Sequence, residues 1–288
     1  MIDALVGGLA TGSLYAMLAV GFVLIYTATG IANFAQGSLS MVAAFAAFTS
    51  SAHAGLPPWL AALLGVLAAV LTAYVISTVG LRAVAKSDDL FKGVATLAID
   101  IILVNVARLV WGPSPYQFDI LFPGRTVKLG GLTLPMSYLA TFFIALGSAV
   151  AIQSFLKYTR VGTAIRSVTQ NPDAATLMGV DLPKISALSW ALAGVVAGLA
   201  GLLLAPVTYV SYNMMDPYLV RMFAAAALGG LNSVWGAVAG GLILGLLEAV
   251  IGRILPPTWI DVVAVLTLLA VLIFRPQGLF GVARVRRV

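Results

Sequence analysis

Few side chains in this sequence can do chemistry, and most of those stand alone in apolar surroundings. Asp100 and Asn105 share the run GVATLAIDIILVNVARLVW. An acid in such a run is costly in a bilayer and faces a cavity or a partner. Asp100 could hold a substrate ammonium or make a structural hydrogen bond, and the residues leave both readings open. Arg108 is a candidate partner, although it lies roughly 12 Å further along a helix. Glu248, in GLILGLLEAVIG, poses the same choice. There the structural reading is preferred, because the nearest cation in sequence, Arg253, points to another helix face. A third group is Asn33, Gln36 and Ser38 in TGIANFAQGSLS. A helix that breaks and restarts here leaves free N–H groups, which could meet a substrate carboxylate or simply be capped by Asn33. Asn232 opens NSVWGA, a faint echo of NFAQGS at Asn33, and is a further candidate on a substrate path.

The missing chemistry narrows the classes. There is no cysteine, and His53 is the single histidine. Thiolate catalysis and a protein-held metal site are therefore not expected, and a serine nucleophile has no evident base. No catalytic residue, metal ligand or cofactor is assigned.

The elements that must position these groups are membrane spans. Of 288 residues, 61% are hydrophobic and 9% charged, against about a quarter charged in soluble domains. From Ala4 to Leu81 there is no Asp, Glu, Lys or Arg, and one span needs only about 20 residues. The sequence predicts an all-α, polytopic transmembrane bundle forming one domain over 1–288. Apolar runs fall at 4–28, 33–51, 58–81, 93–111, 136–156, 185–210, 219–231, 236–254 and 258–274. This reads as nine spans with an external N-terminus. Eight is the alternative, if the first two runs form one span plus a re-entrant piece; whether 33–51 or the short 219–231 is re-entrant stays open. MIDALVGG carries no basic region before its apolar run, so a cleaved signal is not expected.

Cations set the orientation. Eleven of sixteen fall in three regions: Arg82, Lys86 and Lys92; Lys157, Arg160, Arg166 and Lys184; and the tail with Arg275, Arg284, Arg286 and Arg287. These regions are placed in the cytoplasm, the C-terminus included, and 113–135 outside. The net charge of +6 follows from that bias and does not call for nucleic acid. Arg108, Arg221 and Arg253 then fall at outer helix ends, where they can snorkel. Trp59, Trp111 and Trp259 read as interfacial anchors.

The segment YTRVGTAIRSVTQNPDAATLMGVD, inside the hydrophilic break 157–184, is different in kind. Asn171 is a helix cap, Pro172 suits a first helical position, and Asp173 complements the dipole. Gly179 can end the helix. Ala174, Leu177 and Met178 share one face, while Val161, Ile165 and Val168 form another apolar face with Arg160 and Arg166 outside it. A two-turn helix needs a surface. That surface is either the membrane interface or the groove of a soluble partner.

That segment, GLATGSLYAMLAVGFVLIYTATGIANFAQGSLSMVAA near the start, and AALGGLNSVWGAVAGGLILGLLE with FRPQGLFG near the end, occur in order. Together they resemble the branched-chain amino acid permeases of bacterial ATP-binding-cassette importers, the LivH type, over nearly the whole chain. The chain departs from that pattern at Gln36 and Ser38, where the family often carries His and Glu, and at Asp100; Asn105 matches. The resemblance implies that the 157–184 loop is where a cytoplasmic ATPase pushes, with Gly162, Arg166, Asn171, Ala174, Ala175 and Gly179 as coupling positions beside the apolar Leu177 and Met178. It implies a second related permease, two ATPase subunits, a periplasmic or extracellular substrate-binding protein, and the bacterial inner membrane as the site of action. The 288 residues contain no GxxxxGK[ST] motif, so ATP is expected on the partner subunits.

Three readings follow. The first is a permease subunit moving leucine, isoleucine and valine by alternating access, with urea, short amides or other amino acids as alternative cargo. The second is an ion-coupled secondary transporter using Asp100 and Glu248, in which the capped cytoplasmic helix has no role. The third, an embedded enzyme, lacks a catalytic constellation.

Overall fold

The computed structural model describes residues 2–84, 87–118, 125–129, 132–256, 258–275 and 277–281. Lys86 and the tail cations Arg284, Arg286 and Arg287 lie outside the described residues. The chain runs α1 (Ile2–Thr29), α2 (Gln36–Ala52), α3 (Pro58–Val75) continued by a π-helical turn Ile76–Gly80, and α4 (Asp89–Trp111). Strands β1 (Thr126–Leu129) and β2 (Leu132–Pro135) precede α5 (Met136–Tyr158), α6 (Arg160–Gln170) and α7 (Pro172–Leu177). Then come α8 (Leu182–Thr208), α9 (Asp216–Gly229), α10 (Val234–Ile254) and α11 (Trp259–Phe274).

Each of the nine apolar runs carries a helix. Six of these helices are long and apolar enough to cross a membrane, among them α1, α4, α8 and α10. The chain is thus a multi-pass helical membrane protein. The remaining three, α2, α9 and α11, have 17, 14 and 16 residues. A fully apolar span needs about 20, so each of these three is shorter than one span, and the described residues support six spans rather than a count of eight or nine. The β1–β2 hairpin pairs antiparallel, with Thr126 opposite Pro135. An all-α reading misses it, although Gly130-Gly131 between two Leu-flanked runs is a hairpin signal.

Helix α1 is the axis of the bundle: 89% of its apolar window is buried, against 17% for α4. A helix apolar on all sides belongs at the centre of a bundle. Its first half lies directly on α10. A side chain on Gly12 would strike the Gly241 carbonyl at 2.8 Å, and one on Gly245 would overlap the backbone of Gly12. The small residues Gly8, Gly12, Gly241 and Gly245 bring the two backbones together in the manner of membrane helix pairs. Its second half packs on α8 and α9, where Phe22 meets Phe223 edge-on at 4.7 Å.

The basic segments gather at one end. Arg82, Lys92, Pro172 and Leu182 line a common cavity. Lys157, Arg166 and Asn232 line another. Beside Asn232, the segment after α11 donates from Leu279 N to Leu228 O and from Phe280 N to Gly229 O, capping α9. At the opposite end, an isolated bridge joins Tyr116 to Val210. Trp59 and Trp259 are exposed there, as anchors should be. Trp111 is not a free anchor: its indole stacks on Phe45 at 4.6 Å and donates to Thr49 at 2.8 Å.

Candidate functional site

The break after α1 builds the first feature. Gly30 takes φ +73°, which ends α1. Asn33 Oδ1 then accepts from Ala35 N at 3.0 Å, its amide donates to Gln36 Oε1 at 3.1 Å, and Gln36 Nε2 donates to Ala193 O on α8 at 3.4 Å. On the other side Thr96 Oγ1 of α4 accepts from Phe34 N at 3.1 Å. Asn33 and Gln36 are both fully buried. They hold the elbow by these bonds.

One turn into α2, the Ser38 hydroxyl donates to Asp100 Oδ1 on α4. Ser38, not the candidate Arg108, is the partner; the Arg108 guanidinium lies over the Tyr212 ring, 5.6 Å from its centroid. Asp216, in the first turn of α9, completes a small cavity of about 30 Å³ with Ser38, Asp100, Phe34 and Tyr212. Met215 crosses Gly37, so α9 begins where α2 begins. Two helix N-termini, each with a positive partial charge, therefore flank two carboxylates. That combination can hold a carboxylate and an ammonium side by side. Asp216 escapes a reading of the sequence alone, because it sits in a polar turn and only the returning 209–215 segment brings it to Asp100. Asn105 does not join them. It is exposed on α4 and bonds its own preceding turn, at Ile101 O, 2.8 Å away. Asn232 is exposed at the basic end, beyond the far terminus of α9, and is likewise remote.

Glu248 belongs elsewhere. Tyr15 on α1 donates to its Oε2 at 2.6 Å and Arg221 Nε on α9 to its Oε1 at 2.9 Å. Arg221 also reaches Asp261 on α11 at 2.7 Å and the Pro217 carbonyl. Arg221 is 9% and Glu248 6% exposed. Arg221 is therefore not a snorkelling residue at a helix end, but the centre of an ion network joining four helices. The signal in the sequence was a lone Arg and a lone Glu in consecutive antiparallel spans. Removing one partner of such a pair strands the other, which costs about 3–5 kcal/mol. Arg221→Met is expected to lower the thermal midpoint of the purified chain markedly. The double variant Arg221→Met, Glu248→Met should recover most of that loss.

The third feature is the α6–α7 elbow. Thr159 Oγ1 accepts from Gly162 N at 2.9 Å, starting α6. Any side chain at Gly162 would overlap the Phe155 carbonyl at the end of α5. Ile165 and Val168 are buried, and Thr169 donates to Thr27 O of α1 at 2.7 Å. Asn171 Oδ1 accepts from Ala174 N at 3.0 Å, and Gly179 takes φ +85° after α7. Asp181 caps α8 and is held below the usual carboxylate range by its hydrogen bonds with Lys184. The expected apolar face of α7 is present, but it is turned outward: Leu177 is 88% and Met178 86% exposed, with Ala174 beside them. Arg166 is exposed too. Gly162 and Ala175, two of the expected coupling positions, are buried. They let the elbow pack on its own bundle.

A multi-pass helical bundle that displays an apolar helix face at its basic end and carries a small cavity lined by two carboxylates fits the class of membrane permeases. Comparison gives the family. Residues 4–272 match the family described as branched-chain amino acid transport system / permease component, and the chain belongs to it. It is 28% identical to the high-affinity branched-chain amino acid transport system permease protein LivH of Salmonella typhimurium, over 100% of this chain and 97% of that one. It is 30% identical to the probable branched-chain amino acid transport permease protein LivH of Methanocaldococcus jannaschii, over 96% and 91%. Among solved structures, PsaBC from Streptococcus pneumoniae in complex with Fab shares the fold, at TM-score 0.51 and 16% identity over 94% and 91%.

Proposed function

We propose that this chain is the membrane subunit of an ATP-driven importer for branched-chain amino acids, working in the bacterial inner membrane with its C-terminus in the cytoplasm. The observation that carries the reading is α7: a capped two-turn helix whose Leu177 and Met178 are exposed. A two-turn helix does not hold its shape alone, and an uncovered apolar face of this kind suits the groove of a soluble partner. The partner is a cytoplasmic ATPase that binds the nucleotide, since this chain lacks the phosphate-binding loop. The chain itself needs no cofactor and catalyses no reaction. Two ATPases, a second related permease and an external substrate-binding protein complete the assembly.

Force applied to α7 passes through α6 to α1 by the Thr169–Thr27 contact, and from α1 through the 30–35 elbow to Ser38. Asp100 and Asp216 take the substrate ammonium, and the starts of α2 and α9 its carboxylate. A cavity of about 30 Å³ admits no amino acid, so this conformation is closed and cargo enters when α2 and α9 part. Aliphatic side chains suit the surrounding Phe34, Met41 and Val104. The family and its relatives named for branched-chain amino acids support this cargo over urea or amides. Reconstitution tests it. The chain, co-isolated with its ATPase and binding protein in proteoliposomes, should take up radiolabelled leucine only with ATP. Uptake without any ATPase would favour an ion-coupled carrier instead.

A further inference from the structure

A second polar cavity, of about 680 Å³, lies at the basic end beneath the last turn of α1. Its volume is in the range of small-molecule sites, about 300–1,000 Å³, and it takes the Gly30–Ile31 end of the 30–35 elbow, whereas the Ser38–Asp100 pocket takes the Phe34 end. We propose that it binds a small zwitterion with an aliphatic body, presented from the side on which the α6–α7 elbow lies.

Its charges are half used. Arg82 lines the cavity, is exposed, and makes no ion pair among the described residues. Lys92 holds Asp89 by Oδ1 alone, at 2.9 Å. The other oxygen, Oδ2, stands beside Gly30, 3.5 Å from where a side chain there would begin. A free guanidinium is a bidentate donor for a carboxylate, and a free carboxylate oxygen accepts an ammonium. Helix ends add to this polarity: α4 and α8 point their positive N-termini at the cavity and α1 its negative C-terminus. Between the charges, Ile31, Leu81 and Val168 give an apolar wall. The π-helical turn that Leu81 follows also lines the cavity, and its Ser77 pairs with Ser186 of α8 at 3.1 Å. Such turns in a helix often mark functional positions.

The cavity has walls from two bodies. Thr27 to Ile31 and Asp89 belong to the bundle, while Val168 and Pro172 belong to the elbow. A ligand that touches both pins the elbow and opposes the motion that drives transport. Transported amino acid accumulating in the cytoplasm would then slow its own import. This consequence, and the choice of an amino acid as ligand, rest on the function proposed above; the site does not.

The test uses the full chain in lipid nanodiscs, without ATPase or binding protein, titrated calorimetrically with leucine, with 4-methylpentanoate and with inorganic phosphate. Leucine should bind saturably, and more tightly than either anion. Arg82→Gln and Asp89→Asn should each weaken it about tenfold or more, the loss expected for one charged hydrogen bond, while Arg253→Gln, an exposed cation near the end of α10 that lines neither cavity, leaves it unchanged. Absence of saturable binding, binding indifferent to both cavity variants, or equal binding of the anions overturns the proposal. In the assembled transporter, leucine on the ATPase side should slow uptake in the wild type and not in Arg82→Gln. If the assembly moves no branched-chain amino acid at all, the cargo assignment falls, and the nanodisc titration still decides the site.

Discussion

Ala174→Trp is expected to abolish ATP-driven uptake while the protein remains in the membrane at its normal level. Ala174 is exposed in the first turn of α7, on the same face as Leu177 and Met178. Among the described residues Ala174, Leu177 and Met178 are left exposed, so the indole costs the fold little. The docked partner is another matter. Forcing a large ring into a close-packed contact costs about 1–3 kcal/mol, enough for roughly ten- to hundredfold weaker docking. α7 cannot yield by melting, because Asn171 and Gly179 fix both its ends. Uptake and ATPase stimulation, measured together in proteoliposomes, should fall together. Ala174→Ser should retain both.

Asp100→Asn should have the second large effect. The side chain keeps its size and can still accept from Ser38, so the α2–α4 contact survives. What is lost is the charge that the proposed function gives to the substrate ammonium. Replacing a charged by a neutral hydrogen-bond partner removes about 1.5–3 kcal/mol, or roughly ten- to hundredfold in apparent affinity. Initial-rate uptake should show a raised KM for leucine, with the maximal rate less affected. Ser38→Ala should behave as a milder copy. Were Asp100 a structural residue only, Asp100→Asn would lower the thermal midpoint and leave KM unchanged.

The helical framework was legible because apolar run length and the distribution of cations are both local. Runs such as 58–81 and 136–156 and the caps at Asn171 and Gly179 reappear as α3 with its π turn, α5 and the ends of α7. The pairing of Asp100 with Ser38 was not legible, although both had been singled out, because 62 residues separate them. Only the clamped elbow at Asn33 and Gln36 sets the depth at which α2 starts. Arg221 was misplaced for a related reason. Sequence position put it near a helix end, whereas the short α9 begins deep in the bundle after an irregular segment and carries Arg221 to Glu248. Gly162 and Ala175 show the same limit at smaller scale: a small residue permits close approach, but the sequence does not say to what.

The outward face of α7 is the part of this account on which the coupling argument stands, and a single thiol tests it. The chain has no cysteine, so Met178→Cys introduces a unique label site on an exposed position. In oriented vesicles a membrane-impermeant maleimide should modify it from the cytoplasmic side only. Assembly with the ATPase should protect it, and a short bifunctional reagent should join the two chains there. Labelling from the exterior, or labelling from within that is undiminished when the ATPase is bound, would contradict the account.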